Sequence, residues 1–123
     1  MLPQKIREQL VADSGVESLN PHARKMLTLF DRLNSVGFLD DLEVWLSLLN
    51  LCIKVPSREG RVEISYDSNR DEFEIAGYHW PEFAPVAKAY IKNTESPIQE
   101  IETFIERVKP DLGVSWKSNT PTL

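Results

Sequence analysis

The chain has 123 residues, of which 41% are hydrophobic and 27% are charged, a composition typical of one soluble globular domain. A net charge of −5 disfavours binding to nucleic-acid phosphates, which requires clusters of lysine and arginine. The single cysteine, Cys52, excludes an internal disulfide and a multi-cysteine zinc site. The first residues contain no apolar leader segment, and these features together predict a cytoplasmic protein.

The first part of the chain predicts two helices. Residues 3–12 predict a short helix, because apolar side chains recur there every four positions. A second, amphipathic helix begins at Asn20, a favourable N-cap, and Pro21 occupies a favoured first helical position. Gly37 can adopt the left-handed conformation that ends a helix.

Residues 40–51 predict a third helix that is apolar on most of its surface. Asp40 and Glu43 form a variant of the capping box at its start. A helix that is apolar on most sides is packed on most sides, so this helix is interpreted as the central element of the domain. Trp45 is therefore expected in the core, and Trp45→Ala should cost roughly 3–5 kcal/mol.

After residue 51 the apolar period changes from 3.6 to two. Residues 51–55 alternate, and this stretch is compatible with a strand or with the frayed end of the third helix. Apolar residues alternate again over 62–66 and 73–75, and the polar residues 67–71 lie between these two runs. This pattern predicts an antiparallel hairpin with one apolar face and one solvated face.

The remainder of the chain predicts two more helices and a tail. Pro81 opens the fourth helix, while Ser96 caps the fifth, which ends at Pro110. The predicted fold is thus α+β and mostly helical, with about five helices and a small antiparallel β-hairpin or three-stranded meander inserted after the third. Residues 1–110 are predicted to form a single globular domain, followed by a C-terminal tail over 111–123.

Signals for catalysis are weak. Cys52 with His22 or His79 as its base is the one candidate nucleophile pair. A lone cysteine between two aliphatic residues is more often a small buried hydrophobe. The sequence predicts no catalytic residue, no metal and no cofactor.

Three surfaces instead suggest recognition of a protein. An aromatic cluster follows the hairpin, where Tyr78 and His79 are expected to be exposed, although this cluster also suits the core. The solvated face of the hairpin is rich in acids, and the last helix carries an acidic ridge. Together they give the candidate partner-binding residues Glu63, Asp67, Asp71, Glu72, Glu74, Tyr78, His79, Glu102 and Glu106.

The composition predicts a non-catalytic, protein-binding domain whose partner is basic. Acidic domains with aromatic and acidic faces suit inhibitors of basic proteins, such as the immunity proteins that neutralise toxins. The first alternative is a self-associating regulator or adaptor of phage or plasmid type. The second alternative is a nucleic-acid binder that uses the cations of the first two helices: Lys5, Arg7, Arg24, Lys25 and Arg32. The last alternative is an enzyme built around Cys52 or His79.

Overall fold

A computed structural model describes residues 2–54, 60–79, 84–92 and 97–108. The strands form one antiparallel sheet in which each strand pairs with the next along the chain. The elements follow in the order α1 (Pro3–Ser14), α2 (Asn20–Ser35), β1 (Val44–Ser47), β2 (Asn50–Lys54), β3 (Gly60–Asp67), β4 (Glu72–His79), β5 (Ala87–Lys92) and α3 (Ile98–Val108).

The predicted fold class is wrong in its balance of helix and sheet. The described ranges contain three helices and a five-stranded sheet, which is larger than a hairpin or a three-stranded meander. The two N-terminal helices, the β3–β4 hairpin and the last helix are confirmed. The predicted tail, residues 111–123, lies outside the described residues.

The predicted third helix is wrong, because its residues form the β1–β2 hairpin. Val44 and Leu46 face the core as alternate residues of β1, while Trp45 lies between them on the other face and is half-buried. Leu48 and Leu49 form the two-residue turn, with φ of 52° and 73°. Two leucines in the turn and a tryptophan on the outer side hid the period of two, so the run resembled an apolar helix.

The predicted fourth helix is also wrong over the part that the structure describes. Ala87–Lys92 is an edge strand, and Pro81 lies outside the described residues. Ala89 and Ile91 pack toward the core, while Lys88 and Tyr90 point to the opposite face. This alternation is the period of a strand, and the lysines suit an edge strand because they oppose further strand pairing.

The three helices cover one face of the sheet and make a two-layer domain. α1 packs on α2 and reaches β1, α2 packs over β2 and β3, and α3 packs over β4 and β5. None of these helices is long and apolar enough to cross a bilayer. Between the layers lies one apolar cluster, whose largest fully buried side chains include Phe30, Leu33, Ile64, Phe73, Ile75 and Ile101.

The two ends of α2 show which of the predicted capping features form. Pro21 lies in its first turn as predicted, but the Asn20 side chain donates to the carbonyl of Ser14 at the end of α1 instead of capping α2. Gly37 has the expected positive φ of 76°. The amide of Phe38 then bonds the Leu33 carbonyl across it, as in a Schellman motif.

Candidate functional site

The face of the sheet opposite the helices gathers five of the nine predicted binding residues. We call it the outer face. Because side chains alternate along each strand, the register of the five strands fixes which residues share this face. The outer face includes Trp45, Cys52, Arg61, Glu63, Ser65, Asp67, Glu72, Glu74, Ala76, Tyr78, Lys88, Tyr90 and Lys92.

A compact charged and aromatic group lies on the β3 and β4 strands of the outer face. Arg61 Nε donates to Glu63 Oε2 at 2.7 Å, and the two side chains are only 15% and 19% exposed. The guanidinium of Arg61 lies 4.4 Å from the ring centre of Tyr78, its neighbour across β3 and β4. Burial is the main cause that raises the pKa of Tyr78, and the negative charges of Glu63 and Glu74 raise it further. These contacts hold the Tyr78 ring in a fixed orientation.

A second stacked pair lies beside β5. The guanidinium of Arg70 lies 3.7 Å from the ring centre of Tyr90, and its Nε also donates to Glu72 at 3.1 Å. Glu74 accepts from the Tyr90 hydroxyl at 3.4 Å and lies 3.7 Å from the ammonium of Lys88. Arginine stacked on tyrosine therefore occurs twice on neighbouring strands of one face.

The acids of the outer face are matched by cations. Glu63, Glu72 and Glu74 each have an arginine or lysine nitrogen within 4.0 Å. Such pairs neutralise each other locally, so the outer face has little surplus of negative charge. The acid-rich hairpin in the sequence does not become an acid-rich surface.

Two predicted site residues, Asp67 and Asp71, lie at the β3–β4 turn. Asp67 accepts from the amides of Asn69 and Arg70, and so holds the β3–β4 turn. Asp71 contacts Tyr66 and Lys25 at the same end of the hairpin.

Of the remaining three predicted residues, two lie away from the outer face and the third is described only by its backbone. Glu102 and Glu106 lie on α3, in the helical layer. His79 pairs with Gly60 through the backbone of β4, and its side chain lies outside the described residues. Tyr78 is half-buried. Its exposure is therefore intermediate between the two interpretations of the sequence, an exposed ring and a ring in the core.

Cys52 is confirmed as a small buried residue. Its side chain is 1% exposed, and it lies on the outer face between Trp45 and Glu63. Burial raises the pKa of the Cys52 thiol to about 12, and the Glu63 carboxylate acts in the same direction. Because the thiolate is the reactive form of cysteine, this environment makes a poor nucleophile.

No metal-binding group stands out in the part of the chain that the structure describes. Within those ranges, no three histidine, cysteine, aspartate or glutamate side chains converge. His22 lies on α2, where burial lowers its pKa and its ring meets Tyr66 edge-on at 6.1 Å.

The cations that suggested nucleic-acid binding are largely engaged with acids. Arg7 bonds Asp31 at 3.0 Å across α1 and α2, and Lys25 lies 3.5 Å from Asp71. Lys5 lies 3.9 Å from Glu8. Paired cations offer less charge to phosphates, which weakens the case for nucleic-acid binding through the first two helices.

Tyr90 and Arg70 are site residues that the sequence pattern did not predict, and Trp45 lies on the outer face and not in the core where it was expected. Tyr90 was assigned to a helix, although the lysines on either side of it alternate with apolar residues. That alternation was the signal that could have placed Tyr90 on a strand.

Comparison of the chain with models of protein families, with characterised proteins and with solved structures found no match.

Proposed function

We propose that this chain is a non-catalytic protein-binding domain that holds its partner on the outer face. The proposal rests on the two stacked pairs, Arg61 on Tyr78 and Arg70 on Tyr90. Tyrosine and arginine are enriched among the residues that carry binding energy in protein interfaces. Here they are held by neighbouring carboxylates on a sheet, so little conformational freedom is lost on binding.

The proposed partner is a basic protein that this chain inhibits, as immunity proteins inhibit toxins. The net charge of −5 supports this finer proposal, because it attracts a basic protein and speeds encounter. The acids of the outer face are already matched, so we expect this attraction to come from the whole chain. Association should therefore be faster at low salt, with bound-state contacts made mainly by the aromatic rings.

The experiment compares what tagged full-length variants capture from native lysate, identified by mass spectrometry. Tyr90→Ala and Tyr78→Ala remove the rings, and Val16→Ala removes an exposed apolar side chain far from the outer face. A partner captured by the unchanged chain and by Val16→Ala should be lost or weakened about tenfold or more by the tyrosine variants. A captured set that is indifferent to both tyrosine variants would contradict the proposal.

The basic character of that partner needs its own measurement. The association rate with the purified partner should fall several-fold between about 50 and 300 mM salt. A salt-independent rate, combined with loss of binding in Tyr90→Ala, would keep the outer face and reject the basic partner.

A further inference from the structure

A groove of about 580 Å³ on the helical layer separates α3 from the connection between α2 and β1. Its deepest lining residues are Ile53 and Val62, which pair in register on β2 and β3 and are almost fully buried. Phe38 and Leu42 line it from the connection, and Ile105 lines it from α3. The groove exists because α2 packs over β2 and β3 while α3 packs over β4 and β5.

The groove has acidic side chains along its α3 side. Glu102 and Glu106, one helical turn apart, both line it. Within the described ranges, no lysine, arginine or histidine nitrogen lies within 4.0 Å of the Glu102 carboxylate. The cation that lines the groove, Lys54, lies 3.8 Å from Glu43.

The connection on the other side adds to this negative charge. Asp40 and Asp41 are exposed between Phe38 and Leu42, and neither has a cation within 4.0 Å among the residues that the structure describes. The glutamates of the outer face, by contrast, are each matched. Two segments that line the apolar groove, α3 and the connection, therefore each carry an acid with no cation within 4.0 Å among the described residues, on the layer opposite the stacked arginine–tyrosine pairs.

We propose that this groove binds a basic, amphipathic helical segment of a partner protein. A cavity of about 150 Å³ holds a benzene-sized group, so the groove of about 580 Å³ can take roughly three or four apolar side chains from one face of such a helix. Lysine or arginine at the edge of that helix would meet Glu102 on one side and Asp41 on the other. The inference does not depend on the outer face, because the two surfaces lie on opposite layers.

The probe is a synthetic 14-residue peptide with leucine at helical spacing and lysine at most other positions. Its binding to the full chain is measured by fluorescence anisotropy, together with that of an analogue in which glutamine replaces lysine. Glu102→Gln should weaken binding of the lysine peptide about two- to fivefold. Glu100→Gln is the matched control: it removes the same charge from the same helix, but Glu100 lines a different cavity.

Methyl NMR spectra locate the bound peptide without any substitution in the groove. Shifts at Ile53, Val62 and Ile105, with Ala76 of the outer face unchanged, would support the proposal.

Three results would overturn the proposal: equal losses of binding in Glu102→Gln and Glu100→Gln, equal binding of the lysine and glutamine peptides, or NMR shifts at Ala76 alone. So would concentration-dependent dimerisation in sedimentation experiments that the peptide reverses, because the groove would then be filled by a second copy. The outer-face variant Tyr90→Ala should bind the peptide normally, so the two proposals can fail separately.

Discussion

The hydroxyl of Tyr66 donates a 2.6 Å hydrogen bond to the carboxylate of Asp71, across the turn that joins β3 and β4. The same oxygen of Asp71 lies 3.5 Å from the ammonium of Lys25, so the pair also connects the hairpin to α2. Asp71 adopts a positive φ of 50°, which aspartate and asparagine tolerate better than most residues. The turn geometry therefore places its carboxylate where the tyrosine can reach it.

This hydrogen bond should be visible in the titration of Tyr66. The bond to Asp71 is the main cause that raises the pKa of Tyr66, because it stabilises the protonated phenol. A raised pKa means that the stability from this bond is present below about pH 10 and is lost as the pH rises through the pKa of Tyr66 in the folded chain. In Asp71→Gly, NMR should show this pKa lower than in the unchanged chain. Asp41→Asn, which removes a distant charge, should leave it unchanged.

The pH dependence of stability should contain a contribution from His22. Burial lowers the pKa of His22, and its Nε2 is buried with no hydrogen-bond partner among the described residues. Below about pH 6.5 the unfolded chain takes up a proton more readily than the folded chain, so stability falls as the pH falls. Denaturant unfolding at pH 7.5 and 5.5 should show a smaller loss in His22→Gln than in the unchanged chain. An equal loss would mean that His22 titrates normally.

Cys52 should be unreactive in the folded protein. With a pKa of about 12, about one thiol in ten thousand is ionised at pH 8. Alkylation by iodoacetamide at pH 8 should therefore be slow in buffer and fast in concentrated urea. Rapid labelling of the native chain would show an accessible thiolate and would reopen the hypothesis of a cysteine nucleophile.

Trp45 should contribute less to stability than a tryptophan in the core of the domain would. It is half-buried on the outer face, whereas Phe30 of α2 is 1% exposed within the apolar cluster. We expect Phe30→Ala to lower the free energy of unfolding by about 3–5 kcal/mol and Trp45→Ala by about 1–2 kcal/mol. Denaturant melts of the two variants check the order, and a larger loss for Trp45→Ala would contradict the assignment of Trp45 to the outer face.

Replacing one of the two leucines in the β1–β2 turn should increase the stability of the protein. Leu48 and Leu49 both have positive φ, which costs a leucine about 1–2 kcal/mol, and Leu48 is 92% exposed. Leu48→Asn should therefore raise the free energy of unfolding by about 1 kcal/mol, because asparagine tolerates this conformation and no burial is lost. Leu49→Asn is the control: Leu49 packs against the core, so this variant should not gain stability. A loss in Leu48→Asn would show that the exposed side chain has a packing role.

Local chemistry was sufficient to predict part of this fold from the sequence. Pro21 and Gly37 act through their own backbone geometry, and the helical spacing of apolar residues marks α1, α2 and α3. The β3–β4 hairpin was equally visible, because its apolar residues alternate on both sides of a polar turn. Signals of this kind are contained within a few neighbouring residues.

Only the tertiary structure decided what Val44–Ser47 and Ala87–Lys92 become. A strand takes its hydrogen bonds from a neighbouring strand, so its identity depends on residues that are distant in the sequence. The candidate site was decided in the same way. Which cation neutralises Glu74 is fixed by the register of β4 against β5, which brings Lys88 and Tyr90 beside it. The composition shows that this protein is acidic, and the pairing of the strands determines which carboxylates of the sheet lie beside a cation.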